Sequence, residues 1–342
     1  MYNEVILTPI RDSVRLVDVS DEIYFSKEYG KYISNSSLAL INPAQGGSPS
    51  KYKAGLAASH KQSGSLFFGS AVHEMVLQPE SFVVANDVNR PTAKLGLMAD
   101  YLYDRYLKSG LLILNEDFIK ASDYVDYYKG KMDEKKINFV RDHCTEYWEG
   151  RKQFENNYKG GKTPIYLDPA SRDKLSLCMT SFGNNKDIYD ILTLGESKNE
   201  QTLLLDVKAS YQGKNMIMPL KAKLDNFELS DNLIVLNDLK TTGHWLDKFG
   251  ESFEQYHYYR QMAMYVWMLY LYCEHIGMDT QAADIYVNML LVSTIPDYRS
   301  GVYRVTNGAI CRGITEMKDL LQRVAYATIT NNFEDGYMDT SL

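Results

Sequence analysis

Two short patterns in the second half of the chain carry residue types able to do hydrolytic chemistry. They are Lys221-Ala222-Lys223-Leu224-Asp225 and Asp238-Leu239-Lys240-Thr241-Thr242. Residues 220–227 alternate polar and apolar, 228–232 are turn-like, and 233–240 form a second apolar run, the pattern of a β-hairpin. Strand side chains alternate faces, so Lys221, Lys223 and Asp225 share one face of the first strand, and Asp238 and Lys240 share one face of the second. Pairing the strands would bring two carboxylates and an ammonium to one end of a sheet. Hard carboxylate oxygens suit Mg2+, and a lysine beside the ion can steer a water. An Asp-x-Lys triplet alone is weak evidence, because polar residues commonly flank strand ends.

Other candidates lie far away in sequence. Residues 65–79 have helical apolar spacing, stop at Pro79, and contain His73-Glu74. A zinc-protease helix would need a second histidine one turn on, where Leu77 stands. A lone helical histidine is more often structural than a ligand, so His73 matters only if its helix docks beside the hairpin. Glu200 opens an apolar run, Leu203-Leu204-Leu205, and could join a metal site or simply be a solvated strand-edge residue; Glu196 is the weaker alternative. Gln261 and Tyr265 stand one turn apart on a helix read over 252–275, either as a polar pair in a half-buried stripe or as a contact to the site. Gly160-Gly161-Lys162-Thr163 has too few correctly placed glycines for a phosphate-binding loop.

The elements that must position these groups follow in order. Residues 1–31 form an arm or strand, and a Ser-rich stretch offers Ser36 or Ser37 as a helix cap. Helices are expected over 95–108 and 117–151, and another follows Pro169, capped by Asp168. Then come a strand over 203–207, the hairpin, the 252–275 helix, strands over 282–293 and 301–306, and a closing helix over 310–328. That order implies an α/β (α+β) core, a mixed central β-sheet flanked by helices.

Composition sets the outer bounds. The 342 residues are 45% hydrophobic and 24% charged, those of an ordinary globular protein. No apolar run is long enough to span a bilayer and residues 1–15 lack a signal-peptide core, so a cytoplasmic protein without membrane contact is expected. Cys144, Cys178, Cys273 and Cys311 are scattered without a Cys-x-x-Cys pair, which argues against structural zinc, an iron–sulfur cluster or disulfides and for buried free thiols. The net charge of -7 does not advertise a nucleic-acid binder, though a small basic channel can sit inside an acidic exterior.

Taken together and in order, Gly69-x-Ala71-x-His73, Lys221-x-Lys223-x-Asp225, Asp238-Leu239-Lys240-Thr241-Thr242 and Gln261-x-x-x-Tyr265 resemble the PD-(D/E)XK nuclease superfamily. Within it the chain is most similar to RecB-type nuclease domains and phage RecE-like (exonuclease VIII-like) proteins. Ser36-Ser37-Leu38, Leu77-Gln78-Pro79 and Glu200 fit the narrower group. The resemblance implies a nuclease domain over 33–331, with 90–168 as a helical insertion or lobe, an arm over 1–32 and a tail over 332–342. It implies Mg2+, with Mn2+ able to substitute, held by Asp225, Asp238, His73, Glu200 and the Leu239 carbonyl. Lys240 would position or help deprotonate the attacking water, and Gln261 and Tyr265 would orient the lysine and the DNA backbone. Lys221, Lys223, Thr241 and Thr242 would grip phosphates without reading sequence. The implied activity is hydrolysis of double-stranded DNA ends, 5′ to 3′, in phage or prophage recombination, with a homo-oligomeric ring and a single-strand-annealing recombinase as partners. A structure-selective endonuclease and a non-catalytic DNA-binding or recombinase-docking module are the rivals. The 90–168 segment matches no motif.

Overall fold

The computed structural model describes residues 2–57, 64–128, 132–230 and 232–335. The chain forms two compact units, one of residues 1–59, 186–291 and 301–342, the other of 60–185 and 292–300. Asp231 in the predicted turn and residues 336–342 of the predicted tail lie outside the described residues. The strands, in chain order, are β1 (Ile6–Pro9), β2 (Arg15–Val17), β3 (Phe82–Val84), β4 (Thr163–Ile165), β5 (Lys198–Tyr211), β6 (Lys214–Ser230), β7 (Leu233–Thr242), β8 (Asp284–Ser293) and β9 (Ser300–Arg304).

The first unit is built on a seven-stranded sheet in the order β1-β5-β6-β7-β8-β9, with β2 also paired to β5. The spine is the long antiparallel pair β5–β6, in register from Lys198↔Phe227 to Tyr211↔Lys214. Its tight turn, Gln212-Gly213, has positive φ at both residues (47° and 77°), the geometry whose twist matches that of paired strands. The 203–207 strand read from sequence is therefore the middle of a much longer one. β6 and β7 pair only from Asn226↔Asn237 to Ser230↔Leu233. Beyond that point β6 takes a different neighbour: Ile33 bridges to Leu220, donating to Pro219 O and accepting from Lys221 N. β8 runs alongside β7 in the same direction, since Asp284 N bonds Asn232 O and the Asn288 side chain bonds that of Asn237. The sheet is thus mixed and flanked by helices, as the element order implied.

Two helices, Tyr258–His275 and Asn307–Thr330, pack on one another and on this sheet. Met262, Met268 and Leu269 from the first join Leu320, Leu321 and Val324 from the second in one apolar core. They approach closely at Gly313, where a Cβ would stand 2.3 Å from the Tyr259 carbonyl oxygen. Fully buried Arg260 is neutralised inside this core by Glu316 at 2.7 Å, with Asn35 Oδ1 accepting from its Nε.

The second unit is helical, comprising Gly64–Leu77, Ala93–Arg105, Asn115–Val125, Glu134–Asn157 and Pro169–Asn184, with β3 and β4 as a small parallel pair. Its own core includes Met98, Leu102, Phe118, Val140 and Trp148. Arg151 is stacked between the rings of Tyr103 and Tyr166 and paired with Asp104 at 2.6 Å.

Several local expectations need correcting. The helix read over 117–151 is two helices, because Asp126 takes a left-handed conformation (φ 49°) and Asp133 caps a new start. The helix read over 252–275 breaks at His257 (φ 53°), whose ring is held by Glu316 at 2.8 Å. The serine cap is Ser34, in a reciprocal capping box with Ser37, rather than Ser36 or Ser37. Asp168 does cap the helix beginning at Pro169. Of the four thiols, Cys144, Cys178 and Cys273 are buried but Cys311 is exposed. No helix among the described residues is long and apolar enough to cross a membrane.

Candidate active site

The site forms where β6 and β7 part. Asn226↔Asn237 is the last rung of their ladder, so the next residues, Asp225 and Asp238, face each other without a backbone pair between them. On the other side of β6, the β5–β6 register runs Asn199↔Asn226 and then Gln201↔Leu224, which sets Glu200 opposite Asp225. The ladder skips that one position, and Glu200 has positive φ (54°), uncommon for a non-glycine residue and a kind of strain that clusters at functional sites. Glu200, Asp225 and Asp238 therefore form one row across three strands. A carboxylate oxygen of Glu200 lies within 4.8 Å of one of Asp225.

Two acids of the row are held by neighbouring N–H donors. Asp225 Oδ2 accepts from the Leu239 backbone N–H at 2.7 Å, occupying the place a ladder carbonyl would have filled. Asp238 is almost fully buried, and its Oδ1 accepts from Gln261 Nε2 at 3.0 Å. Gln261 Nε2 also lies 3.0 Å from the Tyr265 hydroxyl. Gln261 thus links the Tyr265 hydroxyl to Asp238, the carboxylate that pairs with Lys240. Lys240 Nζ sits 2.5 Å from Asp238 Oδ2 and 5.6 Å from the centre of the Tyr258 ring.

The electrostatics follow from this crowding. Burial pushes the Asp225 carboxyl above the usual carboxylate range, against the opposing pull of the Lys240 ammonium and the Leu239 N–H. Burial alone would lower Lys240, but Asp238 and Asp225 outweigh it and hold the ammonium above its ordinary value. The Tyr265 phenol is buried beside Tyr24 and the two aspartates and is raised well above its usual value. The result is a concentration of carboxylates with the Lys240 ammonium paired into it.

The remaining expected residues fall into distinct environments. Lys223 Nζ lies 2.6 Å from Glu200 Oε2 and also pairs with Asp21, so it stands at the acid row. Lys221 is buried, donating to Tyr24 O at 2.7 Å with the ammonium 4.1 Å from the Tyr24 ring centre. Its position ties down the N-terminal segment and leaves no exposed head for a phosphate. Thr241 is half-buried and Thr242 buried, with Thr242 Oγ1 accepting from His244 N. The Leu239 carbonyl is 3.4 Å from Lys240 Nζ. His73 is half-buried in the Gly64–Leu77 helix of the second unit.

Sequence reading missed two features. One is Asp21 and Tyr24, on a short helix within the stretch read only as an arm or strand. The other is a chain of amides, three buried and Asn199 half-buried, in the row next to the acids: Asn288 Nδ2 donates to Asn237 Oδ1 at 2.9 Å, Asn237 Nδ2 to Asn226 Oδ1 at 2.7 Å, and Asn226 Nδ2 to Asn199 Oδ1 at 2.7 Å. The signal for it was present in three amide–acid doublets, Asn199-Glu200, Asp225-Asn226 and Asn237-Asp238.

No protein-family model and no curated protein matches the sequence. Among solved structures, the chain is similar to a Eubacterium rectale protein provisionally assigned as an exonuclease, at 11% identity and a TM-score of 0.48, covering 93% of this chain and 89% of that one. It is also similar to Candida albicans Rai1, solved in complex with pU5-Mn2+, at 11% identity and a TM-score of 0.27, covering 95% and 84%. Both fall below the similarity at which a shared fold or activity follows.

Proposed function

We propose that this protein is a divalent-metal-dependent nuclease. The observation that carries the reading is the row Glu200, Asp225 and Asp238, set with Lys240 where β6 and β7 separate. The row's donors are hard carboxylate oxygens, which fit Mg2+ or Mn2+ and not a soft-metal centre. Asp225 and Asp238 are the proposed principal ligands, with Glu200 and the Leu239 carbonyl completing the set. His73 is proposed as a further ligand on the sequence pattern alone. Such an ion, when bound, would neutralise phosphate charge and acidify a coordinated water.

The chain's own residues then have separable tasks. Lys240, paired with Asp238, supplies positive charge and a hydrogen bond to the attacked phosphate or positions the attacking water. Gln261 fixes the rotamer of Asp238, and Tyr265 fixes Gln261. Leu239 N–H fixes Asp225. Nothing in this set reads bases, in keeping with a general nuclease.

At the finer level, the ordered motifs favour a RecE-like exonuclease acting 5′ to 3′ on double-stranded DNA ends in phage or prophage recombination, with a ring-shaped oligomer and an annealing recombinase as partners. Incubation with linear and circular duplexes, with Mg2+ or EDTA, tests this. Degradation of linear DNA only, abolished by EDTA and by Asp238→Ala, is the expected result. Nicking of circles would replace it with an endonuclease, and absence of cleavage with any divalent metal would leave a DNA-binding module.

A further inference from the structure

Lys223 has two acidic partners at once. Its ammonium lies 2.6 Å from Glu200 Oε2 and bonds Asp21 Oδ1. Glu200 belongs to the acid row and its side chain is only 12% exposed, whereas Asp21 sits at the rim, 63% exposed, in the short Asp21–Tyr24 helix. That helix is held in place independently. Ser20 caps it, and buried Lys221 grips the Tyr24 carbonyl from two residues along the same strand face. Asp21 is thus a second counter-charge for Lys223, carried on a helix anchored to the same strand.

We infer that Asp21 and Lys223 are positioning residues that set how strongly Glu200 can engage a divalent cation, with Asp21 drawing the Lys223 ammonium off the Glu200 carboxylate. A carboxylate already paired with an ammonium 2.6 Å away is a poorer ligand, because a cation must displace or repel that charge. An ammonium with a second carboxylate in reach can leave the first without being stranded unpaired in a half-buried site. Lys223 then serves as the resident cation of the acid row, and Asp21 as its alternative berth. This inference rests on the metal-site reading above.

The test is a Mn2+ titration of the full-length protein by calorimetry, in four versions: unaltered, Asp21→Asn, Lys223→Met, and the double variant. Circular dichroism confirms folding, with Lys223→Gln as the substitute if Lys223→Met does not fold. Asp21→Asn is expected to weaken Mn2+ binding roughly three- to fivefold, the scale of a partly exposed ion pair. Lys223→Met should tighten it. In the Lys223→Met background, Asp21→Asn should have no further effect, because there is no ammonium left to divert. An Asp21→Asn loss of the same size in both backgrounds would mean only a general field effect, and would overturn the inference while leaving the metal site standing. Failure of the unaltered protein to bind Mn2+ would overturn both.

Discussion

Two neighbouring rows of side chains cross the same strands and have opposite requirements. The amide row, Asn199, Asn226, Asn237 and Asn288, is neutral, and each side chain is bonded to the next. The acid row, Glu200, Asp225 and Asp238, is one residue away on each of its strands, and there like charges stand side by side. Consecutive strand residues point to opposite faces, so one register places both rows. The amides bond one another across the sheet, while the acids draw on Lys223, Lys240 and the Leu239 N–H for their partners. Local stability and local chemistry therefore sit back to back, and substitutions should separate them.

The largest effect is expected at the acid row. Asp238→Ala or Asp225→Asn should lower cleavage by about a thousandfold, the scale of losing a key electrostatic group, while the melting temperature holds or rises. Steady-state cleavage of linear duplex beside a thermal melt checks this. Loss of the fold in both variants would mean that the acids are structural. Lys240→Ala should lose activity on a similar scale, and Lys240→Arg should not restore it, since a guanidinium cannot take the ammonium's place as a compact charge.

The amide row should give the reverse. Asn237→Leu leaves the amides of Asn226 and Asn288 without their partner and should destabilise the protein by about 3 kcal/mol, from the usual 1–3 kcal/mol for each buried group left unmatched. Urea unfolding measures it. An unchanged midpoint would show that the ladder contributes nothing. His73→Ala is expected to be milder than any acid-row change, altering the metal concentration needed for half-maximal rate more than the maximal rate itself.

The smallest effect concerns Lys221. Burial lowers its pKa to about 8 from the ordinary 10.5. Between those values the unfolded chain holds a proton that the folded one has lost, so its contribution makes stability rise with pH across that window. A pH series of melts should show this slope in the unaltered protein and not in Lys221→Met.

Some of this was legible in sequence because it depends on short-range periodicity. Alternation at 220–227 and the apolar run at 233–240 located the hairpin, and the types at 225, 238 and 240 suggested the chemistry proposed for it. The Asp-Pro step at 168–169 located a helix start. The breaks at Asp126 and His257 were not legible, since both residues take left-handed conformations for tertiary reasons; His257 is held by Glu316, 59 positions away. Lys221 and Lys223 looked equivalent in sequence, yet one is sealed under Tyr24 and the other faces Glu200.

By itself the sequence determined which residues share a strand face and which charges they carry, because side-chain alternation is a property of the local backbone. Only the tertiary structure decided where the β6–β7 ladder ends, and hence that Asp225 and Asp238 meet across a gap instead of a rung. That end point depends on Ile33 capturing the free edge of β6 and on Gln261 reaching Asp238 from a helix. Such competition between distant partners for the same backbone and carboxylate groups leaves no periodic trace in the chain.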